Sequence, residues 1–344
     1  MGVFEINQKL KRKMKNNSAK LKITLVSVTL TVALTAVWFV FFSNKEISVK
    51  KGEADIAGMK FPESNLSGER CENGLSRPLA VMLAGDIETR PLSGLSEADM
   101  VFEMPVTDGG VTRMMAVFQC KWPEEIGSVR SSRTDFIPLA QGLGAIYAHW
   151  GGEKEALSQL NSKIIDNIDA MKYDGTIFYR KKGAKPPHNG FTGNELLKKV
   201  IGDLEYDFKK SALVYPHQNQ KDEASPIEPS LIYKDEFEVS WKYDSENKTY
   251  LRYRGGQAEI DKNSSGQVEA ENIVLLKTSW SPISKDYIRV KTLGSGELSA
   301  FVSGRQIDGT WEKKDATSKL YFYDGRHEEI KFAPGQIWVE IVVE

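Results

Sequence analysis

An uncharged run of twenty residues near the start of the chain constrains the fold more than any other feature. Residues 23–42 read ITLVSVTLTVALTAVWFVFF. As a helix rising about 1.5 Å per residue, they reach about 30 Å, one hydrocarbon thickness of a bilayer. The run predicts a transmembrane helix, in which the backbone satisfies its own hydrogen bonds. The residues that follow must then fold as one or more domains outside that helix.

The charges around this run predict its orientation. Residues 1–22 carry a net charge of +6 and the whole chain carries −1, so the rest carries −7. Basic residues on the N-terminal side favour a cytoplasmic N-terminus and an exported body, hence a single-pass membrane protein. The alternative is a cleaved signal peptide, but its apolar core of about 7–15 residues ends in a small-residue site, which FVFFSNKE lacks. The acidic body also excludes a nucleic-acid partner.

Changes in composition divide the chain into six regions. Apolar runs that alternate with helical patterns predict an α/β extracytoplasmic domain. After a polar stretch with two prolines, repeated strand–turn–strand patterns predict a mostly β second domain. The predicted regions are a cytoplasmic tail (1–22), a transmembrane anchor (23–42), a tether (43–73), an α/β module (74–215), a linker (216–230) and a β-rich module (231–344).

The individual elements follow from the same patterns. In the α/β module, the predicted strands are residues 78–83, 101–106, 111–118, 126–130 and 145–150, and the predicted helices are residues 134–143, 154–161 and 194–203. In the β-rich module, the predicted strands are residues 237–243, 249–254, 273–277, 288–293, 298–302, 320–323 and 337–343.

Cys71 and Cys120 both follow the apolar run, on its oxidising side. A disulfide between them would close a loop of about 50 residues and contribute about 4 kcal/mol by loop entropy. Two separate thiols fit the sequence equally well, because the sequence does not give the distance between the sulfur atoms.

The stretch at residues 109–152 predicts a ligand site. Arg113, Arg130, Arg133 and His149 lie beside apolar runs that are typical of buried strands, and arginine is rarely buried without an anionic partner. The strand at 126–130 is predicted to run into a helix capped by Ser131, Ser132 or Thr134. The strand at 145–150 is predicted to turn at Gly151-Gly152 into the next helix. Helix N-termini and arginines at the carboxyl edge of a sheet together favour a phosphate or carboxylate.

A structural role for the same residues remains open at this point. Arg113 could pair with Glu103 on the neighbouring strand, and Arg130 and Arg133 could pair with Asp135 or with helix carbonyls. A lone buried histidine such as His149 is commonly a hydrogen-bonded core residue.

Two loops complete the predicted site. The segment PPHNGF places His188 and Asn189 after two stiffening prolines, and Arg90 precedes a proline in another loop. The candidate ligand-binding residues are Arg90, Glu103, Arg113, Arg130, Ser131, Arg133, Asp135, His149, His188 and Asn189.

No cofactor is predicted. The chain has no phosphate-binding loop, no dinucleotide fingerprint, and no zinc-ligand spacing among its four histidines. Asp86, Glu103, Asp108 and Asp135 could hold a divalent cation, but carboxylates at strand ends are common. No metal site and no catalytic residue are therefore assigned.

Several motifs occur together in a recognisable order. The segments TRPLSGLSEADMVFE, GGVTRMMAVFQ, IGSVRSSRTDFIPLA and PPHNGF resemble the YerB-like family, whose members are classed as bacterial lipoproteins of unknown function. GTWEKK, YFYDGR and PGQIWVEIV resemble the C-terminal module of that family. Many of its members carry a lipobox, whereas this chain has an apolar anchor. The resemblance implies a two-module bacterial cell-envelope protein and supplies no reaction.

These observations leave three hypotheses for function. The first is a membrane-anchored protein whose α/β domain binds a cell-wall polymer, a phosphate-bearing glycan or an acidic peptide through its arginines. The second is an envelope phosphotransferase or hydrolase that uses the same arginines with Asp, Glu or His. The layout of tail, anchor and external domain is similar to that of the LytR-CpsA-Psr phosphotransferases. The third is an adaptor that docks a protein partner.

Overall fold

A mixed sheet of ten strands runs through the protein, and both predicted modules contribute to it. The computed structural model describes residues 60–108, 110–208, 214–219, 223, 225–229, 233 and 237–344. The tail and the predicted anchor lie outside the described residues. Among the described residues, no helix is both long and apolar enough to cross a membrane.

The first half of the described chain contains short strands and short helices. Strands β1–β8 are Leu79–Ala84, Met100–Pro105, Thr112–Phe118, Ile126–Gly127, Ile146–His149, Asn167–Asp169, Tyr179–Arg180 and Gly190–Thr192. Helices α1–α4 are Ile137–Gly142, Lys154–Asn161, Ala170–Tyr173 and Asn194–Asp203, and two 3-10 helices are Ile87–Thr89 and Leu95–Glu97.

The second half is made of strands. Strands β9–β19 are Val239–Asp244, Thr249–Arg254, Gln257–Ala258, Glu269–Ala270, Asn272–Thr278, Trp280–Pro282, Ile288–Val290, Gly294–Val302, Arg305–Lys313, Tyr321–Asp324 and Ile337–Val343.

The order of strands in the large sheet is β18-β17-β16-β13-β19-β2-β3-β1-β5-β6. Strand β19 pairs in parallel with β13 on one side and with β2 on the other, so it joins the two halves. Both predicted regions are present, but they share the large sheet, and the first half has in addition a small sheet of its own, β4-β8-β7. The structure is mostly sheet with few helices, because strands of the second half extend the sheet of the first.

Side chains of alternate residues form a core on each face of the sheet. On one face, Phe102 and Tyr147 pack with Phe136 and Ile137 near α1. On the other face, Trp338 of β19 packs with Trp241 of β9, with ring centroids 5.2 Å apart. Polar side chains on these two faces are therefore separated by the sheet itself.

The region predicted as a tether is structured over its last part. Leu66 is fully buried, and Asp99 accepts hydrogen bonds from Ser67 Oγ (2.7 Å) and from the backbone N–H of Cys120 (3.0 Å). Cys71 and Cys120 form a disulfide, with Cα atoms 5.5 Å apart. Residues 60–73 therefore pack on the domain, because buried serines and a disulfide hold them there; residues 43–59 lie outside the described residues.

Candidate functional site

The two predicted turns lie side by side. The backbone N–H of Arg130 donates to the carbonyl of Met82 on β1, and the N–H of Trp150, just after β5, donates to the carbonyl of Arg130, each at 2.9 Å. The N–H of Ser132 donates to the carbonyl of Gly151, also at 2.9 Å. These bonds hold residues 130–132 extended beside the carboxyl ends of β1 and β5, so both turns meet at one edge of the sheet.

The helix predicted directly after Arg130 begins later, which corrects the predicted helix-terminus site. Helix α1 starts at Ile137, and no side chain caps its N-terminus. Thr134 uses its backbone N–H (2.8 Å) and its hydroxyl to donate to Glu153 Oε1. Because residues 130–132 already bond to neighbouring segments, they cannot open a helix. The helix predicted after Gly151-Gly152 does begin there, as α2 at Lys154, so the correction concerns the first turn alone.

Three arginines form the arginine cluster: Arg113, Arg130 and Arg133. Asp86 Oδ2 lies 3.5 Å from Arg113 Nη1 and 3.8 Å from Arg130 Nη2. Glu153 Oε2 lies 3.6 Å from Arg133 Nη1. The three arginine side chains are 5%, 14% and 14% exposed, respectively, so the cluster is largely shielded from water.

Negative charge is short at this cluster. Two carboxylates face three guanidiniums at distances near or beyond the limit of a hydrogen bond. The Nε atoms of Arg113, Arg130 and Arg133 are buried and have no hydrogen-bond partner among the described residues. Burial and the nearby charge of Arg130 lower the pKa of Arg113 to about 9, which leaves it protonated at neutral pH. A buried, incompletely paired cation is stabilised by an added anion.

A cavity of 450 Å³ opens beside the cluster. It is lined by both turns and by the PPHNGF loop, including Arg130, Ser131, Gly151, Gly152, Arg180 and Pro187. Gly151 has φ 61°, a conformation that favours glycine, so this turn approaches the cavity as bare backbone. The guanidinium of Arg180 stacks 4.5 Å above the ring of Trp150 and adds a second cation to the cavity wall.

The PPHNGF loop contacts the cluster through its backbone. Arg130 Nη1 donates to the carbonyl of Pro187 at 3.1 Å. Asn189 is buried, and its Oδ1 accepts from Arg180 Nη1 at 3.2 Å. His188 is partly exposed, and its buried Nδ1 has no hydrogen-bond partner among the described residues. The loop therefore positions arginines beside the cavity.

The second half of the chain completes the same region. The ring of Tyr287 lies 4.4 Å from the guanidinium carbon of Arg133. Asp135 Oδ2 accepts from the backbone N–H of Val290 at 2.9 Å, and Asp135 Oδ1 lies 3.2 Å from Arg289 Nε. Burial raises the pKa of Asp135 to about 7 against the opposing effects of Val290 N–H and Arg289. The alternative that Asp135 pairs with Arg130 or Arg133 is wrong, because Arg289 and Val290 hold its carboxylate.

Two predicted site residues lie on the other face of the sheet. Glu103 faces away from Arg113, because Arg113 is in register with Met104. Glu103 instead binds Arg252 Nη2 (2.5 Å) and Arg254 Nη2 (2.6 Å), so its predicted pairing with Arg113 is wrong. Arg90 lies near the same group: burial and the charge of Arg254 lower its pKa to about 10.

This second group is the buried ionic network: Glu103, Arg252, Arg254, Glu259 and Glu340. Glu259 Oε2 lies 2.7 Å from Arg252 Nε and 3.1 Å from Arg254 Nε, and Arg252 also binds Glu340. Each of the five side chains is at most 4% exposed. The two arginines are saturated by carboxylates, so this network serves the fold.

His149 is a core residue. It is fully buried, Nδ1 bonds to the carbonyl of Gly151 at 2.7 Å, and Nε2 lies 3.4 Å from Asn167 Oδ1. Burial lowers its pKa, so the ring is neutral at neutral pH. His149 supports the Gly151 turn from behind and does not face the cavity.

No group of three or more His, Cys, Asp or Glu side chains is placed to hold a metal ion in the described part of the chain. The four carboxylates considered for a cation are separated: Asp86 contacts two arginines, Glu103 is in the buried ionic network, Asp108 is exposed in the turn after β2, and Asp135 contacts Arg289.

Sequence reasoning missed several residues of this region. Glu153 supplies opposing charge, Asp86 was considered as a cation ligand and not as an arginine partner, and Tyr287 and Arg289 come from a hairpin more than 130 residues away in the chain. Arg180 is followed by Lys181 and Lys182, and a short basic run of this kind is typical of a solvated surface. No local sequence pattern indicates such long-range contacts. Glu153 is the exception, because it directly follows the Gly151-Gly152 turn that was predicted to lie at the site.

Comparison with known proteins identifies the family and the relatives that this chain is similar to. The family described as protein of unknown function (DUF3048) matches with its N-terminal domain at residues 66–207 and with its C-terminal domain at residues 230–339. "Putative lipoprotein YerB" of Bacillus subtilis (strain 168) is 30% identical over 321 residues, which cover 90% of this chain and 95% of that protein. The crystal structure of YerB protein from Bacillus subtilis has a TM-score of 0.73 and 27% identity, and the match covers 82% of this chain and 97% of that chain.

Proposed function

This chain belongs to the DUF3048 family of proteins of unknown function, and from that premise we propose that it binds an anionic ligand of the bacterial cell envelope. The arginine cluster and the adjacent cavity receive the anion. The ligand is a cell-wall polymer, a phosphate-bearing glycan or an acidic peptide.

One observation carries this proposal: the positive charge of the cluster is incompletely neutralised. Arg113, Arg130 and Arg133 share two carboxylates, and their Nε atoms have no hydrogen-bond partner among the described residues. A phosphate or carboxylate accepts several N–H bonds from guanidinium groups at once and neutralises the excess charge.

The location in the envelope is supported by three features. The Bacillus relative carries the name of a lipoprotein, a class that is held at a membrane by lipid. Cys71 and Cys120 form a disulfide, which is typical of oxidising compartments. The apolar run at residues 23–42 is long enough to anchor the chain in a membrane with its body outside the cytoplasm.

Binding fits the geometry better than catalysis. Three carboxylates lie at or beside the cluster, and each already has partners: Asp86 is shared by Arg113 and Arg130, Glu153 accepts two hydrogen bonds from Thr134, and Asp135 is held by Val290 N–H and Arg289. A general base needs an acceptor that is free to take a proton from the substrate.

The test is calorimetric titration of the full chain with inorganic pyrophosphate. Arg130→Gln and Arg133→Gln are each expected to weaken binding about tenfold or more, because a charge-assisted hydrogen bond is worth about 1.5–3 kcal/mol. Arg326→Gln is the matched control, since its side chain is 77% exposed, and it should leave the Kd unchanged. Folded Arg130→Gln and Arg133→Gln proteins that bind as well as the parent would overturn the proposal.

A further inference from the structure

A hairpin from the second half of the chain lies against the arginine cluster. Strands β14 and β15 pair in an antiparallel arrangement, with Trp280 opposite Val290 and Pro282 opposite Ile288. We call residues 279–293, which contain both strands, the 279–293 hairpin. The backbone N–H of Ile288 donates to the carbonyl of Val106, which ties the hairpin to the first half of the chain just after β2.

The hairpin is docked by charged and polar contacts. Arg289 Nη2 donates to Glu155 Oε2 at 2.8 Å, and Arg289 Nε lies 3.2 Å from Asp135 Oδ1. Thr292 Oγ1 donates to the backbone carbonyl of Asp135 at 3.0 Å. Asp135 is two residues from Arg133 in the chain, so these contacts hold the hairpin next to the arginine cluster.

A second cavity, of 430 Å³, lies between the hairpin and this segment. Its lining combines one indole with hydroxyl and charged groups, including Thr134, Asp135, Trp280, Ser281, Arg289 and Lys291. An aromatic wall with a few polar groups is the usual composition of a site for a small polar ligand.

Trp280 is 37% exposed and available for stacking. Four of the ten large exposed hydrophobic residues of the described chain belong to this one hairpin: Trp280, Ile283, Tyr287 and Leu293. Exposed apolar side chains concentrated beside an open cavity indicate a contact surface. An entirely apolar partner would dehydrate the charged groups of Lys291 and Arg289 at the cavity wall, at a cost that disfavours it.

We propose that the 279–293 hairpin forms a saccharide subsite, in which a sugar ring stacks on Trp280 while its phosphate binds the arginine cluster. This inference rests on the proposed anion-binding function and selects the phosphate-bearing glycan among its ligands. A sugar presents an apolar C–H face to an indole and hydroxyl groups around its rim to Thr134, Ser281 and Arg289. The hairpin adjoins the cluster, since the ring of Tyr287 lies 4.4 Å from the guanidinium carbon of Arg133, and Thr134 and Asp135 of the cavity lining directly follow Arg133 in the chain.

The experiment compares two phosphate probes on the full chain by calorimetry: N-acetylglucosamine 1-phosphate, which has a ring, and glycerol 3-phosphate, which lacks one. The parent is expected to bind the sugar phosphate about tenfold more tightly. Trp280→Ala should remove that advantage and leave the Kd for glycerol 3-phosphate unchanged. Leu75→Ala, at a residue that is 50% exposed elsewhere, is the matched control and should keep the advantage.

The outcomes separate the two proposals. If both probes bind with equal affinity and Trp280→Ala changes neither Kd, the saccharide subsite is wrong and the anion site stands. If adenosine 5′-phosphate binds more tightly than the sugar phosphate and depends on Trp280, the saccharide assignment is overturned in favour of a base-stacking site. If neither phosphate probe nor pyrophosphate binds the parent, both proposals fail.

Discussion

Two groups of arginines lie on opposite faces of one sheet and differ in how they are paired. In the buried ionic network, Arg252 and Arg254 bind Glu103, Glu259 and Glu340 at short distances. Burial alone would lower the pKa of Arg254, but attraction to Glu103 and Glu259 outweighs it and raises that pKa above its usual value.

The arginine cluster shows the opposite balance. Arg113 has its nearest described carboxylate oxygen 3.5 Å away, shares it with Arg130, and has a lowered pKa. The same residue type in similarly buried positions is thus saturated on one face and undersaturated on the other. Burial of arginine therefore does not indicate its role; the ratio of guanidiniums to nearby carboxylates does.

The largest change in stability is expected from a substitution in the buried ionic network, where the arginines are fully paired with carboxylates. Arg252→Met leaves three buried carboxylates with one arginine, and loss of one partner of a buried ion pair typically costs about 3–5 kcal/mol. The free energy of unfolding, measured in urea, should fall by that amount. Arg70→Ala removes an exposed pair with Glu63 and should change stability by less than about 0.5 kcal/mol. A loss of under 1 kcal/mol in Arg252→Met would show that this network is not a structural unit.

In the arginine cluster, which has too few carboxylates, loss of an arginine should change the free energy of unfolding in the opposite direction. Arg113→Met removes a buried cation whose neighbour Asp86 keeps Arg130 as a partner. The free energy of unfolding without ligand should stay the same or rise by about 1 kcal/mol, as relief of like-charge repulsion permits. Pyrophosphate affinity should fall about tenfold or more. Destabilisation by 3 kcal/mol without loss of affinity would place Arg113 with the structural arginines.

A smaller effect concerns pH and Asp135. Its pKa is raised to about 7 by burial, so its carboxyl group loses its charge as pH falls from 8 to 6, while Arg289 beside it keeps its charge. Affinity for sulfate, which does not titrate in this range, should therefore rise about fivefold. In Asp135→Asn the sulfate Kd should be nearly constant over the same range. An unchanged pH profile in that variant would assign the effect to another group.

The same raised pKa has a consequence for stability. Because folded Asp135 holds its proton more tightly than the unfolded chain does, its contribution to stability is full below about pH 4. That contribution is lost as pH rises through about 7. Asp135→Asn should remove this slope from a pH series of urea unfolding curves.

Local pattern predicted most of the strands and helices. Helix α2, helix α4 and strand β19 occur at the predicted bounds, because each has a clear period of apolar residues between turn residues. Strand β17 was missed, since its RQIDGTWEK sequence is polar and has a glycine at its centre. The strand predicted at 126–130 is paired as β4 only at Ile126–Gly127, where it joins a small three-stranded sheet.

The site was predicted in part. The convergence of the two turns followed from the positions of Arg130 and Gly151, and the PPHNGF loop does reach their cavity. The separation of Arg113 from Glu103 depends on the strand register, which places neighbouring residues on opposite faces and which the sequence does not specify. The contacts of Arg289 depend on a fold that brings distant segments together.

Because β19 lies in the middle of the large sheet, the sheet cannot be completed until this strand has been synthesised. This strand is the last one of the described chain to be synthesised, yet it lies between β2 and β13 in the middle of the sheet. Until it emerges, the facing edges of two largely apolar strands remain unpaired, and such edges readily join other chains. A premature stop before residue 337 would therefore leave the sheet in two parts with unpaired edges. It would destabilise far more of the protein than the few residues removed.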